Sequence, residues 1–408
     1  MGKPIIAALE VGTSKTALLI AEPLAGGRVR VIGRGVAQTA GGVRKGLLVD
    51  MRQARAAVDT ARRQAEKEAD VTVGEVLLSL SGGHIQTRPG EGRTPVRDGD
   101  GKVTRDDMDE VQELSRSSGL GAERTVLHAV SQTYSLDDLA GIANPEGMRG
   151  KQLKLDTLFI HGQRNRVEDI INLLKGLAME TRVVAFSPLA AASAVLTAEQ
   201  RNHGVLLVDL GGGTTSYIVF ARNVAVAAGA LGVGGDHVTS DIAMAFNAPW
   251  PKAEEMKLTE GSAVIDPQRS GRRLELAAGM GHGAARSISV KALHTVIEAR
   301  MRETLALVRE QLVEGHHLRQ VGAGVVFTGG GAYLPGLDVL AESVLGLRAQ
   351  IGEPLAQCVE GVQHDRVRPA ALAPAAGLLL DGAEAYAAES LFGPMKSWLR
   401  RVAGGGRP

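Results

Sequence analysis

Two corners of the chain, far apart in number, carry one pattern, and this repeat restricts the fold more than anything else in the sequence. An apolar run leads to Glu10 and then Val11-Gly12-Thr13-Ser14-Lys15. Another apolar run, 199 residues later, leads to Asp209 and then Leu210-Gly211-Gly212-Gly213-Thr214-Thr215. Each corner is followed by a second strand-like run, Lys15 to Glu22 and Ser216 to Ala221. A strand, an acid, a turn of small residues and a second strand, repeated at half the chain length, predict two similar α/β lobes facing one another. Around the first corner, Pro4 to Leu9, Arg28 to Ala37 and Val73 to Ser81 read as strands, and Ala54 to Asp70 as a helix.

Two blocks interrupt this plan. Residues 85–159 are polar, with Asp98-Gly99-Asp100-Gly101 as a turn and Arg105 to Ser117 as a charged helix. Residues 232–296 read mostly as helix, with Gly271 to Arg286 as a loop. The expected organisation is 1–84 with 160–198 as the first lobe and 85–159 as its insert. Residues 199–231 with 297–385 form the second lobe, 232–296 its insert, and 386–408 a short linker and terminal helix.

The corners suit a phosphorylated ligand. A tight turn between strands exposes consecutive backbone N–H groups, Gly12 admits a phosphate, and Thr13 and Ser14 add hydroxyl donors. At the second corner Gly211, Gly212 and Gly213 permit close approach, and Thr214 and Thr215 offer hydroxyls. Asp209, at the end of a buried strand, suits Mg²⁺ through water, because that ion prefers oxygen ligands and keeps its hydration. Glu10 occupies the matching place in the first corner. A third corner, Val325 to Thr328 followed by Gly329-Gly330-Gly331-Ala332, gives bare backbone against which a purine or ribose can lie.

These three corners, in this order, resemble the actin/Hsp70/sugar-kinase superfamily of two duplicated RNase H-like lobes. Ser187 to Ala192 and Ala375 to Leu378 look like its two connecting helices, whose small residues allow a close crossing beneath the nucleotide. Glu254 and Lys257, at helical spacing, look like the pair that meets the adenosine ribose. Within the superfamily the chain resembles the FtsA family. The residues that carry this are Glu10 in the first corner, Ser79 to Ile85 entering the insert, Val126 to Val130 and Gln132 to Tyr134 inside it, and Gly234 to Ala243 after the second corner. The implied fold is actin-like, with an FtsA-type insert in the first lobe.

The terminal segment Ser390 to Val402 has a basic amphipathic pattern. Leu391, Met395, Trp398 and Val402 share one helical face, with Phe392 and Leu399 beside them, and Lys396, Arg400 and Arg401 on the other flank. Such a helix, starting near Gly393, lies in a bilayer interface, where anionic lipid contributes about 1 kcal/mol per basic residue. It resembles the family's C-terminal targeting helix. The family's linker before it is long; here Glu384 to Glu389 is all that is expected. No apolar run is long enough to span a bilayer. The chain has 46 basic and 45 acidic residues and one cysteine, Cys358. That charge balance gives no global attraction to nucleic acid, and one cysteine excludes an internal disulfide.

The resemblance implies an ATP- and Mg²⁺-binding protein that self-assembles into filaments. It would tether FtsZ, through the C-terminal peptide of that protein, to the cytoplasmic face of the inner membrane at the division site, where later division proteins join. Arg300 and Arg302, at the end of the second insert, are the candidates for the acidic peptide. Filament-forming relatives carry Glu where this chain has Ser187, so hydrolysis is expected to be slow or absent. A pilus-assembly scaffold of the PilM type, a kinase of the same fold and an MreB-like filament remain as rival readings. The tail disfavours PilM and MreB, and the missing catalytic Asp in 85–159 disfavours the kinase.

Overall fold

The computed structural model describes residues 4–116, 119–276, 286–365 and 367–392. In chain order, β1 (Ile6–Val11), β2 (Lys15–Pro23) and β3 (Val29–Gln38) form a meander. A small hairpin of β4 (Val43–Arg44) and β5 (Leu47–Leu48) then leads to α1 (Met51–Ala69) and β6 (Glu75–Leu80). The insert contributes β7 (Gln86–Pro95), α2 (Arg105–Arg116), β8 (Arg124–Leu136), β9 (Leu139–Ile142) and β10 (Gln152–Gln163). The chain returns through α3 (Arg164–Lys175), β11 (Glu180–Phe186), α4 (Ser187–Val195) and α5 (Ala198–His203). The second lobe opens with β12 (Val205–Leu210), β13 (Thr215–Ala221) and β14 (Val224–Leu231). It continues through α6 (Gly235–Phe246), α7 (Trp250–Glu260), β15 (Arg273–Leu276), β16 (Arg286–Ser289) and α8 (Val290–Glu314). Last come β17 (Val325–Thr328), α9 (Leu337–Leu345), β18 (Ala349–Ile351), β19 (Val359–Glu360) and α10 (Ala373–Phe392).

The duplication expected from the two corners is present strand for strand. The first sheet runs β3-β2-β1-β6-β11, with β19 added beside β3, and the second runs β14-β13-β12-β17-β18. In both, the first three strands are antiparallel and the last two join in parallel. The registers match as well. Glu10 stands opposite Ala17 and Ser79, as Asp209 stands opposite Ser216 and Thr328. β12 is buried at every position, which is why it reads as a continuous apolar run rather than an alternating one.

Two helices join the lobes and cross. α4 packs on β12 and β13 of the second lobe, and α10 on β1, β2 and β6 of the first. Gly377 marks the crossing. A Cβ there would overlap the carbonyl of Ala190, so only glycine lets the backbones approach this closely.

The insert is an antiparallel sheet, β7-β10-β8-β9, covered by α2. Val103, Val111, Tyr134, Leu136, Leu153 and Leu155 form its own small core, whereas Leu127, Val130, Leu158 and Ile160 join the first lobe's core. It also touches the second lobe. The Thr87 hydroxyl donates to Ala228 O at 3.0 Å and the Gln132 amide to Ala225 O at 3.4 Å.

Two expectations need correction. Within the stretch expected as a loop, Arg273–Leu276 is a strand paired with Arg286–Ser289. Glu384 to Glu389, expected as a linker, continue α10 to Phe392; Ala, Glu and Leu there are strong helix formers. Leu391 and Phe392 therefore end α10, while Met395, Lys396, Trp398, Leu399, Arg400, Arg401 and Val402 lie outside the described residues.

Candidate functional site

The three corners converge on one cleft between the lobes. Its walls are Glu10 to Lys15 from the first corner, and Asp209, Gly211, Gly212, Gly213 and Thr214 from the second. Gly329 and Gly330 come from the third, with Gly46, Ser79, Ser81, Ser187 and Ala371 filling the remainder. The strand–turn–strand geometry brings this about: each corner sits at the carboxyl end of a central strand, where an open α/β sheet offers its crevice. The first two corners interlock. A Cβ on Gly213 would collide with the Thr13 hydroxyl, and one on Gly212 would lie 3.0 Å from Ser14.

Several expected residues lie behind this surface rather than on it. Thr215 is buried in β13. Gly331 backs onto Leu210, and Ala332 belongs to the second lobe's core. Glu254 and Lys257 form a 2.6 Å ion pair on α7. From there Lys257 donates to Gly235 O at 3.1 Å and to the Thr239 hydroxyl at 2.8 Å. This places the pair at the start of α6, beside the second corner: Asp236 Oδ1 lies 3.2 Å from the position a Cβ on Gly212 would take.

The acids of the cleft differ in surroundings. Glu10 holds Lys15 at 2.7 Å. Burial pushes Asp209 up to about 7, with Glu10 raising it further and Lys15 opposing. A carboxyl held in that condition binds a proton near neutrality and gives it up to a divalent cation. Among the described residues no cluster of three acid, His or Cys side chains could hold a metal by itself. Glu10 and Asp209 both line the cleft, and two carboxylates are a donor set that fits Mg²⁺, which is typically held by one or two carboxylates together with phosphate and water.

Hydroxyls occupy the floor. Ser79 and Ser187 share a 2.8 Å hydrogen bond, and Ser81 pairs with Ser216 across the lobes. A serine hydroxyl near its ordinary acidity is no carboxylate base. Ser79, Ser81, Gly46, Ala371 and Asp236 were not singled out as site residues. Ser79 and Ser81 fall within the Ser79 to Ile85 stretch and Asp236 within Gly234 to Ala243, both noted for family resemblance; Gly46 and Ala371 carry no local signal.

Arg300 is engaged from α8. It donates to both oxygens of Asp241, the second at 3.0 Å, and to Glu303. Arg302 bonds Glu298 at 2.9 Å and Ser343 at 3.3 Å. Neither lines the cleft.

Known proteins share this sequence and fold. A family model described as "Cell division protein FtsA" matches residues 206–377, and one described as "SHS2 domain inserted in FTSA" matches residues 82–161. The cell division protein FtsA of Escherichia coli (strain K12) is 31% identical over 413 residues, covering 98% of this chain and 97% of its own. That of Neisseria meningitidis serogroup B is 30% identical over 375 residues, covering 92% and 89%. Among solved structures, a PilM-PilN type IV pilus biogenesis complex superposes with a TM-score of 0.62 at 19% identity, over 94% of this chain and 99% of that one. MreB5 of Spiroplasma citri bound to ADP gives 0.58 at 14% identity, over 95% and 98%. At such identities these two structures establish the actin-like fold alone.

Proposed function

The chain belongs to the FtsA family of cell division proteins, and on that premise we propose that it binds ATP with Mg²⁺ between its lobes, polymerises, and tethers FtsZ filaments to the cytoplasmic membrane. The observation that carries the nucleotide reading is the meeting of Gly12, Asp209 and Gly330 in one cleft. Backbone N–H groups at Thr13, Ser14 and Gly212 to Thr214 hold the phosphates, with the Thr13, Ser14 and Thr214 hydroxyls beside them; the Gly12 and Gly211 N–H groups close the two turns onto Lys15 O and Thr214 O. Gly329 and Gly330 lie flat against the nucleoside; Lys257 and Glu254, packed behind the cleft at the start of α6, are the candidates for its ribose once they exchange their present partners. Asp209 and Glu10 would hold Mg²⁺, which would neutralise phosphate charge. Ser187, paired with Ser79, lacks the basicity to activate water, so the site retains nucleotide longer than it cleaves it. A phosphate-release rate of several per second would refute that.

The terminal segment 390–408 supplies the membrane contact, weak in one copy and strong in an array. FtsZ engages the second insert through its C-terminal peptide, with Arg300 and Arg302 as candidate contacts that must exchange Asp241 and Glu298 for peptide carboxylates. We assign the protein to the inner membrane's cytoplasmic face at the division site, where later division proteins join. The domain division at 84, 159, 198, 231, 296 and 385 follows the same reading. The test is co-sedimentation with anionic vesicles and FtsZ, with ATP, for the full chain and for one ending at 389. The reading predicts that only the full chain brings FtsZ down with vesicles. Equal recovery with the shortened chain sinks the tether.

A further inference from the structure

We propose that Lys45 is the ligand of the nucleotide's terminal phosphate, and that it makes the cleft prefer a triphosphate over a diphosphate. This rests on the nucleotide reading of the cleft and adds a specificity-determining residue to it.

The first observation is a backbone conformation that does not suit its residue. β4 and β5 are joined by Lys45 and Gly46 alone, with φ of 51° and 73°. Two positive φ values in a two-residue hairpin describe a turn that favours Asn-Gly or Gly-Gly. Lysine gains nothing locally there, and strain held in place by its surroundings points to a function.

The surroundings hold it firmly. The Gly46 N–H donates to the Thr13 hydroxyl at 3.2 Å. A Cβ on Gly46 would overlap Ser81 O, and one on Gly213 would lie 2.8 Å from the Lys45 nitrogen. The hairpin is thus wedged between the first and second corners, and Gly46 forms part of the cleft wall. The Lys45 stem runs toward the second lobe, its Cδ 3.6 Å from the position of a Cβ on Gly232. A residue of the first lobe so overhangs the second at the corner end of the cleft, away from Gly330.

Charge supplies the second observation. Glu10, Asp209 and Asp236 stand at or beside the phosphate corners, and the two lysines nearest them are committed: Lys15 to Glu10 and Lys257 to Glu254. Among the described residues the Lys45 side chain makes no ion pair and no hydrogen bond, the titratable group it acts on is His237 of the second lobe, and it is exposed. A triphosphate brings more negative charge to this acidic end than one divalent ion offsets. The flexible stem of Lys45 can swing its ammonium from Gly232 onto the outermost phosphate, which a diphosphate lacks.

The test uses Lys45→Gly, because glycine suits the turn while the side chain and its ammonium are removed. Calorimetric titration of the full chain with Mg·ATP and Mg·ADP gives both affinities. A charge-assisted contact predicts an ATP affinity at least about tenfold weaker in the variant. ADP should stay within about twofold and the melting temperature should not fall. Lys45→Arg should keep most of the wild-type preference. Equal losses for ATP and ADP, or an unchanged preference for ATP, would overturn the assignment, as would a wild-type chain without preference. A wild-type chain that binds neither nucleotide would instead sink the nucleotide reading itself, and this one with it.

Discussion

Replacing Asp209 with Asn should stabilise the nucleotide-free protein at alkaline pH while abolishing its Mg²⁺-dependent affinity. Asp209 is 9% exposed, and burial with the neighbouring Glu10 raises its carboxyl from 3.8 to about 7. The sign follows from linkage: a folded-state value above the unfolded one means the folded protein holds the proton more tightly. No penalty exists below about pH 4; it grows as pH rises toward 7 and is constant above. Each pH unit is worth about 1.4 kcal/mol, so about three units give about 4 kcal/mol as an upper bound. Relaxation and water entry reduce this to roughly 2 kcal/mol. Asn keeps the shape and never ionises. Urea denaturation of Asp209→Asn and wild type, without nucleotide or Mg²⁺, should therefore give nearly equal stabilities at about pH 3.5 and a gain of about 2 kcal/mol for the variant at pH 8. A gain that is the same at both pH values, or a loss at pH 8, would refute a buried carboxylate under strain. The same substitution should remove Mg²⁺ enhancement of ATP binding, measured by titration with and without the ion.

Other outcomes follow from the same geometry. Gly377→Val should cost about 3 kcal/mol or more in urea denaturation, since its side chain must displace Ala190 at the helix crossing. His84→Leu should stabilise the protein at pH 5 by about 2 kcal/mol and change little at pH 7.5. Burial holds this imidazole down at about 4, neither ring nitrogen has a hydrogen-bond partner among the described residues, and its penalty grows as pH falls below 6.5. Arg300→Ala should cost about 1–2 kcal/mol of stability by leaving Asp241 unpaired. If Arg300 also meets FtsZ, peptide affinity measured by fluorescence anisotropy should fall beyond what unfolding explains.

The two phosphate corners were legible because their information is local: an acid closing an apolar strand, then glycines that the interlocking loops require. Gly377 was legible within a run of small residues, though not its contact with Ala190. The Lys45-Gly46 hairpin was not, since strands of two residues carry no periodicity. Ser79, Ser81 and Ser187 were equally silent as a group, because serine hydroxyls acquire meaning only when distant strands place them together. β15 was hidden by its short length and glycine-rich flank. Glu384 to Glu389 precede a basic tail, a position that suggests a tether, yet their composition continues a helix, and propensity prevails over position in the chain.

The length of α10 alters what the terminal segment can be. A leash would let the body tumble above its anchor. Instead α10 lies along the first lobe's sheet and stays helical to Phe392, so anything attached beyond it is carried on a shaft fixed to that lobe. The point at which the terminal segment begins is thereby set by the first lobe, on which α10 packs, and not by the second.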